Sequence, residues 1–187
     1  MRTSHLALPL TAAALLFAAT LGTAQIERLD LSQMVSKADN AVFGTIVDKH
    51  VIRIDHPDDG PELYFTTLTI EGRSLRNDEP LTVDVTFAGG FVDAEHGVNN
   101  SEAPSADDVR IGNRVVAFYK WSANLGGQLA GNGLYASHGG LFRTQETRGR
   151  TVVLGRGEGY AVSTNVEVAT LRENIVTIVK APPPQPR

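Results

Sequence analysis

The stretch Ala38-Asp39-Asn40-Ala41-Val42-Phe43-Gly44-Thr45-Ile46-Val47 decides the fold that this sequence predicts. It is apolar at its centre, and apolar residues then alternate with polar ones as far as Ile54, which is the pattern of a long β-strand. Gly44 interrupts the run, and an isolated glycine within a strand indicates a bulge or a sharp bend, which small barrels use to turn corners. We therefore expect the strands to close into a barrel.

Three more runs rich in β-branched and aromatic residues predict further strands. They extend over Tyr64 to Leu75, Leu81 to Ala88 and Val115 to Trp121. Between the first two strands, residues 56–61 contain two prolines and one glycine, which disfavours a helix and favours a hairpin. The sequence thus predicts a mainly β fold.

Helical periodicity occurs on either side of these strands. Asp30 begins a short amphipathic pattern, and Gln33 stands at the spacing that completes a capping box. A longer helical pattern follows Thr164, with Glu167 at the same spacing. Its apolar stripe consists of Val168, Leu171, Ile175 and Ile178. We expect a short N-terminal helix and a C-terminal helix, the latter packed across the barrel.

Two segments between the strands lack a regular pattern. Residues 93–108 are polar, acidic and short of large apolar side chains, which predicts a long exposed loop, and such loops often carry binding sites. The chain after Trp121 is rich in glycine, which favours short strands joined by tight turns. Residues 151–154 and 160–163 flank a glycine-rich turn and predict one more hairpin.

The first 24 residues have the three parts of a secretory signal peptide. A basic start at Arg2 is followed by an apolar run from Leu6 to Leu21 and by the small residues 22–24. Cleavage before Gln25 is expected to leave a single domain over residues 25–181, followed by a disordered proline-rich tail over residues 182–187. The sequence therefore predicts an exported protein, periplasmic or secreted.

Composition excludes several classes of protein and of partner. The chain contains no cysteine, so no disulfides stabilise it. Its 17 Lys and Arg against 21 Asp and Glu give a formal net charge of −4, which argues against a nucleic-acid partner. After signal cleavage, no remaining stretch is apolar enough to predict a transmembrane segment.

Three motifs carry a resemblance to known proteins. They are the opening stretch 38–47, Ile111-Gly112-Asn113-Arg114-Val115-Val116-Ala117-Phe118, and Ser137-His138-Gly139-Gly140-Leu141-Phe142-Arg143. In this order the chain resembles a diffuse group of exported bacterial proteins of unknown activity. More distantly, it is similar to the netrin-like module of the tissue inhibitors of metalloproteinases, which implies a small five-stranded OB-like barrel. The inhibitors place an N-terminal cysteine on the protease zinc, and a chain that begins at Gln25 without cysteine does not carry that mode over.

Aromatic residues and a polar loop mark a candidate ligand-binding surface. Trp121 ends an apolar strand, and OB barrels use such aromatic positions to bind oligosaccharides. The predicted ligand-binding residues are Trp121, Tyr119, Tyr135, His138, Asp93 and His96. Ser137 and His138 are neighbours, but adjacent residues of an extended segment point to opposite faces, so they do not predict a nucleophilic pair.

Two clusters of acidic residues and histidine predict an alternative metal site. The candidate ligands are His56, Asp58, Asp59, Asp93, Glu95 and His96. Their oxygen and imidazole donors suit zinc or calcium, although neither cluster has a recognised ligand spacing. Solvated loop charge is the ordinary interpretation of such clusters.

These observations leave three functional hypotheses open. The first is a non-catalytic binding domain for an extracytoplasmic protein or saccharide, whose ligand surface combines the 93–108 loop with the glycine-rich segment. The second is a metal-assisted hydrolase that uses His56 or His96 with nearby carboxylates. The third is a structural protein of the cell envelope.

Overall fold

A computed structural model of the chain describes residues 28–181, so the predicted signal peptide and the proline-rich tail lie outside the described residues. The elements in chain order are α1 (Leu31–Lys37), β1 (Asn40–His56), β2 (Gly60–Ser74), β3 (Pro80–Ala88), β4 (Gly90–Phe91), β5 (Gly97–Val98), β6 (Arg114–Ser122), β7 (Gly131–Leu134), a 3-10 helix (Ser137–Gly140), β8 (Leu141–Thr147), β9 (Arg150–Val153), β10 (Val166–Glu167) and α2 (Val168–Lys180). None of the helices within residues 28–181 has the length and apolar character needed to cross a membrane.

Five strands close into a barrel in the order β1-β2-β3-β7-β6 and back to β1. Every neighbouring pair is antiparallel except β3 and β7, which run parallel through Thr86 and Gly133. The barrel closes because β1 pairs with β2 along one edge and, from Asn40 to Thr45, with β6 along the other. The prediction of a mainly β, OB-like barrel with a short first helix and a packed last helix is confirmed.

Gly44 does not form the bulge that the sequence predicts. The register between β1 and β2 shifts between Ile46 and Asp48, whereas Gly44 lies directly opposite Gly72 in regular pairing. A Cβ atom on either glycine would overlap main-chain atoms of the facing strand. The two glycines therefore permit a close approach of β1 and β2, and the bulge follows two residues later.

Two hydrophobic cores lie on opposite sides of the barrel wall. The core inside the barrel includes Val42, Ile46, Leu68, Ile70, Val85, Val115 and Leu141. The outer core lies between the barrel and the two helices, and it includes Met34, Phe118, Phe142, Leu171 and Ile175. Phe118 and Phe142 meet edge to face with ring centroids 6.2 Å apart. Helix α2 is thus part of the core structure, because its buried stripe completes the outer core.

Helix α1 has the ends that the sequence predicts. The Asp30 carboxylate accepts the Gln33 backbone N–H at 2.7 Å, and the Gln33 side chain accepts the Asp30 N–H at 3.0 Å. At the other end, the Arg76 guanidinium donates to the carbonyl oxygens of Val35 and Ala38. This charged group satisfies carbonyls that the helix itself leaves unpaired.

Helix α2 begins later than predicted, and the capping box at Thr164 is wrong. The residue before the helix is Glu167, whose side chain caps nothing and pairs with Arg150 at 2.6 Å. Val166 and Glu167 are extended because they pair with Val153 and Val152 of β9. This strand contact places the start of the helix at Val168.

The predicted hairpin of residues 151–154 with 160–163 is also wrong. Strand β9 pairs instead with β8, across a turn at Arg148 and Gly149, both of which have positive φ. Ala161 and Val162 form no strand and are buried in the outer core. The other edge of β9 pairs with β10, so neither edge is left for residues 160–163.

We predict that Gly72→Ala destabilises the protein by about 1–3 kcal/mol, because its methyl group would overlap the main chain of Phe43. Urea unfolding measures the difference. Gly131→Ala is the matched control, because a Cβ there meets only a leucine methyl group at 3.7 Å. Equal midpoints for Gly72→Ala and the parent protein would contradict the close approach of β1 and β2.

We also predict that alkaline pH destabilises the fold through Tyr119. Its side chain is only 7% exposed, and burial raises the pKa of the phenol although a hydrogen bond with Asn40 lowers it. The pKa of Tyr119 is therefore higher in the folded protein than in the unfolded chain. The stabilisation that comes from the neutral phenol is fully present below the unfolded pKa of about 10 and is lost as the pH rises through the folded pKa. The free energy of unfolding, measured across this range, should fall less for Tyr119→Phe; an identical fall would contradict this assignment.

Candidate ligand-binding groove

An exposed indole lies beside a groove of about 440 Å³ on the barrel. Trp121, near the end of β6, is 58% exposed. Strands β1, β2 and β3 form one part of the groove, and residues 129–132 form the other. Its polar lining residues are His50, Thr67, Thr82, Asp84, Thr86 and Asn132. Ile52 and Leu129 add apolar surface, so the groove offers both kinds of contact to a ligand.

Hydrogen bonds fix the polar side chains of the groove. The hydroxyl groups of Thr67 and Thr86 are 2.9 Å apart, and both residues are buried. Thr69 donates to the Asp84 carboxylate at 2.7 Å, and the Asn132 amide donates to the Asp84 carbonyl at 3.2 Å. The Asp84 carboxylate remains exposed and retains further acceptor capacity.

The backbone holds Trp121 in place at the end of its strand. The Trp121 backbone N–H donates to the Asp39 carboxylate at 2.7 Å, and Trp121 pairs with Asn132 across β6 and β7. Since the main chain is anchored on both strands, the indole is presented by a rigid element. A ligand that stacks on it would lose little protein conformational entropy on binding.

One group of predicted metal ligands instead joins two loops. The His56 side chain is only 12% exposed. Its Nδ1 accepts hydrogen bonds from the backbone N–H groups of Asp58 and Asp59. Its Nε2 lies 2.9 Å from the Gln128 amide, and the Asp59 carboxylate accepts the Gly127 N–H at 2.8 Å. Both imidazole nitrogens are engaged, so these residues hold the glycine-rich loop against the β1–β2 turn.

The second predicted metal cluster closes the turn between β4 and β5. The Asp93 carboxylate accepts the backbone N–H groups of Glu95 and His96 and contacts His96 Nδ1 at 2.8 Å. The hydrogen bond from Glu95, followed by that from the His96 side chain, lowers the pKa of the Asp93 carboxyl. Among residues 28–181, no three histidine, aspartate or glutamate side chains converge as a metal site.

The predicted aromatic face is divided among three environments. Tyr119 packs in the core inside the barrel, while Tyr135 is half-buried against the outer core. Only Trp121 is exposed. Tyr119 and Trp121 are two residues apart in β6, a spacing that predicts one shared strand face, so the sequence did not reveal that one is buried and the other exposed.

His138 belongs to the 3-10 helix and is half-buried. Its Nδ1 lies 3.2 Å from the Glu102 carbonyl and its Nε2 lies 3.2 Å from the Tyr160 hydroxyl. Ser137 directs its hydroxyl to the Glu102 carboxylate at 3.5 Å. The serine and histidine therefore contact different groups, the carboxylate and the carbonyl of Glu102, and His138 connects three segments of the chain.

Sequence reasoning missed the polar residues of the groove. Thr67 and Thr69 in β2, and Thr82, Asp84 and Thr86 in β3, recur at every second position. Residues at this spacing share one face of a strand. Polar alternation in two predicted strands that follow each other was therefore the signal for a polar face on the barrel.

We predict that His56→Ala loosens the glycine-rich loop and lowers stability by about 1 kcal/mol, since it removes the Nδ1 acceptor of two backbone N–H groups and the contact of Nε2 with Gln128. Amide hydrogen exchange should accelerate at Gly127, which the same junction holds. His50→Ala is the control, because the His50 side chain is 51% exposed and its one polar partner within residues 28–181 is Asp48. Unchanged exchange at Gly127 in His56→Ala would show that the loop is held by other contacts.

No family model matches the chain, and neither does any curated protein or solved structure. The resemblances to exported bacterial proteins and to the netrin-like module therefore stay predictions. What the chain does must follow from the chemistry of its grooves and exposed surfaces.

Proposed function

We propose that the chain is an exported, non-catalytic binding domain that takes a saccharide in the Trp121 groove. The observation that carries this proposal is the exposed indole beside hydroxyl, amide and carboxylate groups. A pyranose ring has C–H faces that stack on an aromatic ring and hydroxyl groups around its edge. The groove offers complementary groups for both.

The size and position of the groove support the same ligand class. Its volume of about 440 Å³ falls in the range of small-molecule sites, roughly 300–1,000 Å³. It is built from the second and third barrel strands and the loop before the fifth, and OB barrels bind oligosaccharides with these elements. The exposed Asp84 carboxylate disfavours a strongly anionic sugar and can accept hydrogen bonds from hydroxyl groups.

A protein ligand is the second candidate, and a different surface supports it. Phe91, Val92 and Val98 are each 45–55% exposed on the ribbon of β4 and β5. Adjacent exposed apolar side chains of this kind are typical of protein contact sites. The metal-assisted hydrolase has less support, because both ring nitrogens of His56 are occupied and His96 is paired with Asp93. The structural envelope hypothesis requires no ligand-binding chemistry in the Trp121 groove.

We predict that a neutral oligosaccharide alters the fluorescence of the purified protein and protects it from acrylamide quenching. Trp121 is the only tryptophan, so the signal reports on the groove alone. A glycan array selects the oligosaccharide, and calorimetry gives its affinity. Trp121→Ala should weaken binding by about tenfold or more, because an aromatic anchor contributes most of the energy in such contacts.

Phe91→Ala is the matched control, since it removes an aromatic ring of similar exposure outside the groove. It should leave saccharide affinity unchanged. An array without any bound glycan, or equal affinity for Trp121→Ala and the parent protein, would refute the saccharide proposal. If a protein that the parent chain captures no longer binds to Phe91→Ala but still binds to Trp121→Ala, the second candidate is favoured.

A further inference from the structure

A second cavity, of about 460 Å³, lies on the other side of the barrel strands, beneath the 93–108 loop. It shares no lining residue with the Trp121 groove. Its wall on the barrel includes Val51, Thr66 and Phe87, which stand opposite one another across β1, β2 and β3. Directly facing residues of neighbouring strands share one face of the sheet, so these three side chains form a continuous row.

This row presents an apolar surface to the cavity, although it includes a threonine. The Thr66 hydroxyl donates to the Gly89 carbonyl at 2.6 Å and so has no free proton for a ligand. Pro104 and Val109 of the loop side extend the apolar surface, and both are buried. At the entrance, Phe91 is 55% exposed. An apolar body that enters the cavity would remove this surface from water.

A single charged side chain, Lys49, lines this cavity. It stands in β1 two residues before Val51, so both side chains project from the same face of the strand. Among the residues of the described range, none forms an ion pair or a side-chain hydrogen bond with Lys49. An ammonium group without a counter-charge therefore lies beside an apolar surface.

Three acidic residues of the loop pair with other charged side chains and do not neutralise Lys49. Asp93 pairs with His96, Asp107 contacts Arg110, and Asp108 contacts Arg156 at 3.0 Å. None of the five acidic residues of the 93–108 segment lines the cavity. The local charge of the cavity is positive in a chain whose formal net charge is −4.

We propose that this cavity binds a small organic monocarboxylate with an unbranched apolar tail. The tail lies along Val51, Thr66 and Phe87, and the carboxylate pairs with the Lys49 ammonium group. Charge-assisted hydrogen bonds between ammonium and carboxylate are stronger than neutral ones, and the apolar wall excludes water from one side of the pair. The site is independent of saccharide binding in the Trp121 groove.

Calorimetry with three ligands of equal chain length tests the charge preference. Decanoate, 1-decanol and decyltrimethylammonium are each titrated into the purified protein below their micelle concentrations. Decanoate should bind with one-to-one stoichiometry, decanol about tenfold more weakly, and the cation more weakly still. Equal affinity for decanoate and decanol, or no decanoate binding, would overturn the proposal.

Three variants locate the site. Lys49→Met keeps the aliphatic stem and should weaken decanoate binding by about tenfold while leaving decanol unchanged. Lys120→Met is the matched control, because Lys120 is exposed on β6 outside the cavity. Ala106→Trp fills the cavity from an exposed loop position and should abolish binding of both.

Trp121→Ala separates this inference from the saccharide proposal, because it should retain full decanoate affinity. If Trp121→Ala loses decanoate binding and Lys49→Met retains it, the fatty ligand occupies the groove and the Lys49 site is refuted. If decanoate binds as expected while no glycan does, only the saccharide proposal fails.

Discussion

Strand β1 is hydrogen-bonded on both edges from Val42 to Thr45, to β2 on one side and to β6 on the other. This double pairing closes the barrel, and it depends on the close approach of Gly44 and Gly72. Once the barrel is closed there, the rest of β1 continues past β6 and forms a long hairpin with β2 alone. The rest of the architecture depends on this division of β1 into a first part that closes the barrel and a second part that extends beyond β6.

Strand β3 pairs with β2 as far as Phe65, so only the tip of the hairpin beyond Ile52 and Phe65 has two strands. A two-stranded tip is weakly stable by itself, and here other segments support it. The glycine-rich loop packs on one face, where Gly126 and Gly127 approach Phe65, Ile54 and Leu63 too closely to allow side chains. His56 fastens that loop to the turn. The same contacts that stabilise the hairpin therefore hold the loop whose continuation lines the Trp121 groove, so structural residues also determine the shape of the candidate binding site.

Local rules were sufficient for much of the fold. Strand composition predicted all four long strands, and the capping box at Asp30 and Gln33 formed as expected. The start of α2 failed because Val166 and Glu167 pair with β9, a tertiary contact that overrides capping propensity. Trp121 was predicted as a ligand residue from its position at a strand end, and the structure leaves it exposed beside a groove. The contact of His56 with Gln128 could not be identified, because the two residues are 72 positions apart in sequence.

The two cavities differ in a way that argues for two ligands rather than one. Strands β1, β2 and β3 contribute to both, but through opposite faces: Thr67 and Thr86 line the groove, whereas their neighbours Thr66 and Phe87 line the cavity. The groove contains the Asp84 carboxylate and the cavity contains the Lys49 ammonium group. Because opposite charges on two faces of one sheet favour ligands of opposite character, a single ligand class would not satisfy both.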